Sequence, residues 1–267
     1  MIPLTLDQIA AAVEGTMTGG HGQRMIDSVC TDSRNLTAGS LFFAISGETF
    51  DGHRFIPQAA EAGAAAAVVS RVTGDEQLPS IQVDDTRLAL GRLAQFVRRT
   101  LTSTRVIAVA GSNGKTGTKA LIHAALSSRL RGTASPKSFN NDIGVPVTIF
   151  GASPDDDYVV LEIGTNHPGE VEHLSRMSEP DIAVITSIGE EHMEFFKTLD
   201  GVRQENAAIA AGLRPGGLVT CVDDEKLLTM VPENFDCIVF GVTDPTSDVG
   251  ATHASSASVN QRRTDDA

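Results

Sequence analysis

Apolar positions fall into two rhythms along this chain. Up to about residue 85 they form short runs broken by turn residues. "SLFFAIS" (40–46) and "AAAAVVS" (64–70) predict strands with a helix over 54–62 between them, and "SIQVDD" (80–85) predicts a closing strand. Over 86–99, Leu90, Leu93, Ala94 and Val97 return at helical spacing, which predicts a helix leading into a second unit. From 105 onward, apolar runs of strand length alternate with helical patterns. Strands are predicted at 105–110, 158–163, 181–187, 217–221 and 236–240, and helices at 116–130, 169–177 and 198–212. That alternation predicts an α/β fold with a mostly parallel sheet and right-handed crossovers. "SFNNDIGVPVTIF" (138–150) predicts a loop entering a strand, and 251–267 carries no apolar periodicity, which predicts a disordered tail. The organisation expected is a domain over 1–85, a connecting helix over 86–104, a second domain over 105–250, and the tail.

Composition narrows the setting. The 267 residues allow two domains, and no apolar run approaches the roughly 18 residues that a membrane-spanning helix needs. The opening "MIPLTLDQIAAAVEG" lacks the basic start and cleavage pattern of a signal peptide, so a cytoplasmic protein is expected. Cys30, Cys221 and Cys237 lack metal-ligand spacing and read as reduced buried residues rather than a disulfide frame. A formal net charge of −13 excludes a basic footprint for nucleic acid. It leaves anionic nucleotides open, because backbone N–H groups and a helix terminus hold phosphate inside an acidic protein.

The candidate chemistry begins in "VIAVAGSNGKTGTKALI" (106–122). Strand, glycine-rich turn and helix follow in the order that phosphate binding requires, although the usual G-x-x-x-x-G-K-[ST] spacing would put glycine where Val109 stands. Lys115 is expected to neutralise β/γ oxygens and the Thr116 hydroxyl to bind magnesium. Ile122, Ala125, Leu126 and Leu130 are expected to form the inner face of the helix. Glu162 closes the apolar run "YVVLE", where an open α/β sheet places ligands, and a carboxylate suits magnesium; capping the next turn is the plainer reading. His192, in "TSIGEEHMEFF", reads on its own as a structural histidine, with Glu190, Glu191 and Glu194 as a solvated face. "TDSR" (31–34) and "GETFDGHRF" (47–55) read as turns with polar side chains.

Together these segments resemble the Mur ligase family of ATP-dependent peptide synthetases. "TDSRNLTAGSLFFAISGETFDGHRFIPQAAEAGAAAAVV" resembles its N-terminal substrate domain, and the loop from Gly111 to Lys119 is similar to its shortened phosphate loop. "FNNDIGVPVT", "LEIGTNHPGEVEHL" and "ITSIGEEHMEFF" are closest to the branch that adds D-alanyl-D-alanine to UDP-N-acetylmuramoyl-tripeptide. The resemblance implies ATP and Mg²⁺ as cofactors, an acyl-phosphate intermediate and a cytoplasmic monomer. Gly111, Ser112, Asn113, Gly114, Lys115, Thr116 and Gly117 would hold ATP, and Thr116, Glu162 and His192 would hold magnesium, with Lys115, Glu162 and His192 catalytic. Ser33 and Arg34, with the 47–55 loop, would lie near the uridine end of the substrate, while Asn140, Asn141 and Thr148 would face the central cleft.

Two departures qualify the expectation. Asn206 stands where the family has a lysine carbamate that supports a second magnesium, so activity insensitive to bicarbonate is expected. The family's C-terminal Rossmann-like domain and its base-binding residues have no counterpart in this sequence, so weak nucleotide binding and little ligation by this chain alone are expected. The competing readings are another amino-acid ligase of the architecture, a folylpolyglutamate synthase-like enzyme, a non-catalytic binding remnant, and a generic P-loop hydrolase.

Overall fold

The computed structural model describes residues 1–19, 21–47, 50–72 and 78–240, so the expected tail and the last ten residues of the 105–250 region lie outside it. The chain divides into two compact units. One comprises Met1–Thr104 and Asp142–Asp157; the other comprises Arg105–Asn141 and Tyr158–Ala267.

In the first unit, Leu41–Phe43, Ala66–Val69 and Ser80–Gln82 form the parallel centre of a five-stranded sheet. Val29–Cys30 extends it in parallel at one edge, and Thr16–Thr18 closes the other edge antiparallel. Phe42, Ala44, Ile56, Ala59 and Val69 fill the core between this sheet and helix Ile56–Glu61. The helix expected to connect two domains instead belongs here. Asp85 caps Thr86–Thr100 by accepting the N–H groups of Arg87 (2.7 Å) and Leu88 (3.1 Å), and Ala89, Leu90, Leu93, Ala94 and Val97 are buried.

Its packing partner corrects a second expectation. The segment expected to enter a strand forms helix Gly144–Phe150, packed against Thr86–Thr100. Pro146 lies in its first turn, where no N–H donor is required. Six of its seven residues are buried, so burial on every side erased the 3.6-residue signal.

The second unit is a six-stranded all-parallel sheet. Arg105–Ala110 lies near its middle, flanked on one side by Tyr158–Glu162 and then Gly132–Ala134, and on the other by Ile182–Ile185, Leu218–Val222 and Asp236–Phe240. The chain therefore runs first to one side of Arg105–Ala110 and then crosses to the other. That reversal opens a crevice at the carboxyl end of this strand, the place where doubly wound sheets receive ligands. Helix Lys115–Ser127 covers one face through Ile122 and Leu126, which meet Ile107, Val109, Tyr158 and Val160. Ala125 and Leu130, expected on that inner face, are exposed instead.

Candidate functional site

Two periodicities meet above the carboxyl end of this sheet. Strand alternation puts Tyr158, Val160 and Glu162 on the face that helix Lys115–Ser127 covers. Helical spacing puts Thr116, Lys119, Ile122 and Leu126 along the facing side of that helix. The apolar pair of the helix lies over Val160 and Tyr158, and the polar pair lies over Glu162.

Glu162 is 2% exposed, and its carboxylate is held from three sides. Oε2 accepts the Thr116 hydroxyl at 3.0 Å and the Lys119 ammonium at 2.8 Å, and Oε1 accepts Asn140 Nδ2 at 3.1 Å. Its own N–H donates to Ser135 Oγ at 3.1 Å, and Lys119 also donates to the Lys137 carbonyl. A carboxylate has about four lone-pair directions, so three donors leave one for a cation.

The turn preceding this helix is shaped by its two glycines. The position where the usual motif has glycine is Val109, fully buried in the strand and paired with Glu162 and Val184. The turn starts later, at Gly111, with φ +124; a β-carbon there would lie 2.2 Å from Thr186 Oγ1, so only glycine fits. Gly114 is left-handed (φ 83) at the helix N-cap, where no side chain caps the first turn. The N–H groups opening a helix have no acceptor within it, which leaves those following Gly114 to face an anion. The amides of Ser112 and Asn113 are committed elsewhere: they donate to the carbonyl and hydroxyl of Ser187, each at 2.9 Å.

Residues 186–189 thus scaffold the loop. Thr186 Oγ1 donates to the Asn113 carbonyl at 2.6 Å, and Gly189 N–H donates to Ser112 Oγ at 2.9 Å. Lys115 folds back on its own loop, donating to the carbonyls of Gly111 (2.5 Å) and Ser112 (3.3 Å). Its ammonium is also 3.9 Å from Glu191 Oε2. Glu191 was expected on a solvated face with Glu190 and Glu194; those two are exposed, whereas the Glu191 side chain is 13% exposed and turned inward. Asn206, 1% exposed, donates to the Val202 carbonyl at 3.0 Å and lies 3.4 Å from the other Glu191 oxygen.

His192 follows directly, in a left-handed conformation (φ 45, ψ 41) at the start of helix Met193–Phe196, with its ring edge-on to Phe196. Among the described residues, no group of three or more His, Cys, Asp or Glu side chains converges on a metal position. Asn141 is exposed beside Asn140. Thr148 departs from its expected place in the central cleft: it is buried in helix Gly144–Phe150, in the first unit, and its hydroxyl donates to the Gly144 carbonyl at 2.9 Å.

In the first unit, Thr31, Asp32, Ser33, Arg34, Phe42, Phe50 and Phe55 line a cavity of ≈ 410 Å³. Phe50 and Phe55 stack at 5.3 Å between centroids and form its aromatic wall. Ser33 donates to Gln58 at 2.9 Å, and Arg34 grips Asp32 through Nε and NH2. The Arg34 guanidinium holds the Asp32 carboxyl below its ordinary range. Nearby, His53 is 4% exposed, with Nδ1 2.8 Å from Asp51 and Nε2 accepting the Ser70 N–H at 3.0 Å. A Ser–His–Asp order is present, but that backbone N–H occupies the nitrogen that would deprotonate a serine. This network ties the end of strand Ala66–Val69, through Ser70, to residues 51–53.

Family models place the rest of the chain around these sites. Residues 109–264 match the Mur ligase middle domain and residues 25–98 match the Mur ligase family catalytic domain. The chain belongs to the Mur ligase family. Among curated Mur ligases it is 42% identical over 231 residues to UDP-N-acetylmuramoyl-tripeptide–D-alanyl-D-alanine ligase of Bacillus subtilis. It is 40% identical over 218 residues to the Escherichia coli protein of the same name. These alignments cover 85% and 82% of this chain but 50% and 47% of the relatives, so the chain spans about half their length. Among solved Mur ligases, MurF of Acinetobacter baumannii superposes with a TM-score of 0.84 at 32% identity, covering 90% of this chain and 53% of that one. MurF of Thermotoga maritima in complex with ADP superposes at 0.73 with 29% identity, covering 80% and 50%.

Proposed function

We infer that this chain forms the substrate- and nucleotide-binding half of an ATP-dependent ligase that joins D-alanyl-D-alanine to UDP-N-acetylmuramoyl-tripeptide in the cytoplasm, as a monomer. One observation carries the reading. First-turn amides, Lys115 and the Thr116–Lys119–Glu162–Asn140 cluster, built on the buried Lys119–Glu162 pair, converge at the switch point of a sheet whose relatives bear that enzyme's name.

In this reading the amides after Gly114 donate to phosphate oxygens, and Lys115 exchanges the Gly111 carbonyl for the β/γ oxygens of ATP. The donor set fits magnesium: a hydroxyl and a carboxylate oxygen 3.0 Å apart are hard ligands, and phosphates and water complete the shell. Thr116, Glu162 and His192 would hold the ion, which when bound would neutralise phosphate charge during activation of the peptide carboxyl. Lys119 and Asn140 fix the Glu162 rotamer that this requires. Catalysis of this type consists mainly of positioning and charge neutralisation, so rigid polar partners are what the chain must supply. The cavity beside Ser33 and Arg34, with its Phe50–Phe55 wall, is assigned to the uridine end of the substrate.

The test is calorimetric titration of Mg–ADP into this chain and its Lys115→Ala variant. Hydrogen bonds to charged groups contribute about 1.5–3 kcal/mol each, so affinity should fall roughly 10- to 150-fold. Equal affinity in the two proteins would overturn the assignment.

A further inference from the structure

Two thiols that are far apart in sequence and have no place in the ligase reading meet in the second unit. Cys221 lies on Leu218–Val222 and Cys237 on Asp236–Phe240, the outermost strand on that side among the described residues. Their sulfurs are 3.7 Å apart. The strands are parallel, with Val219 opposite Cys237 and Cys221 opposite Val239, so the cysteines sit on one face, offset diagonally by two positions. Cys221 is fully buried and Cys237 half-buried, so a reagent meets Cys237 first.

The register separates two kinds of chemistry. Diagonal neighbours on adjacent strands are about 7–8 Å apart at the backbone, whereas a disulfide asks for Cα atoms within about 7 Å and β-carbons near 3.8 Å. A direct S–S bond would therefore have to drag the strands out of register. A soft centre inserted between the sulfurs makes no such demand. With centre–sulfur bonds of about 2.3 Å, as in zinc thiolates, a 3.7 Å span corresponds to an angle of about 107°, close to tetrahedral. The described residues supply no third ligand, which disfavours a four-coordinate metal ion. A trivalent arsenic centre carrying one organic substituent needs two sulfurs and no more.

We propose that Cys221 and Cys237 form a vicinal dithiol site that takes trivalent arsenicals and other two-thiol bridging electrophiles. The reaction is condensation without redox change. An arsenoxide R–As=O and two thiols give R–As(S)₂ and one water; both As–S bonds replace the As=O bond, and the two thiol protons leave in the water. The first bond forms at Cys237, and the second is then intramolecular. The neighbouring Cys237 sulfur, and burial after it, raise the Cys221 thiol far above its ordinary pKa, so attack by that residue depends on proximity to arsenic already held by Cys237.

The experiment is intact-mass spectrometry of the full chain after brief exposure to phenylarsine oxide, followed by excess 2-mercaptoethanol. One adduct should survive the monothiol and be removed by 2,3-dimercaptopropanol. Chelation should make it roughly a hundredfold more persistent than a single-thiol adduct. Cys30→Ser should retain the adduct, whereas Cys237→Ser should lose it in the monothiol wash. Cys221→Ser should lose it too; if that core variant does not fold, Cys237→Ser decides alone. Persistence of the adduct in Cys237→Ser, its removal from the native chain by monothiol, or no adduct at all would overturn the proposal. So would rapid formation of a Cys221–Cys237 disulfide with dilute hydrogen peroxide, since the register argument excludes it.

Discussion

Replacing Lys119 with methionine tests whether the polar cluster around the buried Glu162 is one coupled unit. The Lys119 and Glu162 side chains are 5% and 2% exposed, with a 2.8 Å ion pair between them. Methionine nearly fills the same volume, so the cavity cost is small and the main effect is a buried carboxylate without its cation. Breaking such a pair from one side costs about 3–5 kcal/mol. Thr116 and Asn140 still donate to Glu162, which places the expected loss near the lower end, about 3 kcal/mol. For a unit of this size that corresponds to a midpoint roughly 6–12 °C lower. Glu162→Gln in the Lys119→Met background removes the stranded charge, and the double variant should regain about 2 kcal/mol of the loss. The chain provides its own probe: it has no tryptophan, and its single tyrosine, Tyr158, is buried in this sheet with its hydroxyl 3.0 Å from His123. Urea unfolding followed by tyrosine emission therefore reports on the second unit. If Lys119→Met costs less than about 1 kcal/mol, or the two substitutions add within about 0.5 kcal/mol, the cluster is not coupled and the reasoning fails.

Further outcomes follow from the same geometry. Gly111→Ala should cost about 2–4 kcal/mol through positive φ and the clash with Thr186, and should abolish nucleotide binding in calorimetry; near-native stability would refute the role given to residues 186–189. Asp51 is pulled upward by burial, but hydrogen bonds from His53 and Arg71 outweigh this and hold its carboxyl below the ordinary 3.8. Its contribution to stability is therefore complete above that value and lost as pH falls below it, so Asp51→Asn should flatten the acid limb of a thermal-melt profile below about pH 4. Asp85→Ala removes the cap of Thr86–Thr100 and should cost about 1 kcal/mol in urea unfolding, with no effect on nucleotide affinity.

What was legible in the sequence followed from periodicity and from a loop with few alternatives. Five of the six described strands from Arg105 onward, the glycine-rich strand-to-helix turn and Glu162 at a strand end could be read from spacing, whereas Gly132–Ala134 is too short to set a period. Helix Gly144–Phe150 could not, because burial on all sides leaves no polar face to set a period. Lys119 sat in plain view three residues after Thr116, the helical spacing that brings both onto one carboxylate, yet a lysine on a helix ordinarily reads as solvated. Thr186, Ser187 and Gly189 carry no signal of their own in the sequence; their task depends on strand order, which no local pattern encodes. Glu191 was hidden among exposed neighbours of its own kind. The unit boundary was missed because 142–157 returns to the first unit after an excursion into the second.

The lashing of residues 112–113 to 186–189 has a thermodynamic consequence. Freezing a residue costs about 1–2 kcal/mol in backbone entropy, and this turn has met that cost on folding, before any ligand arrives. On the proposed function, capture of a polyphosphate would then resemble a key entering a cut lock, with a heat signature set by desolvated charge and little by chain ordering.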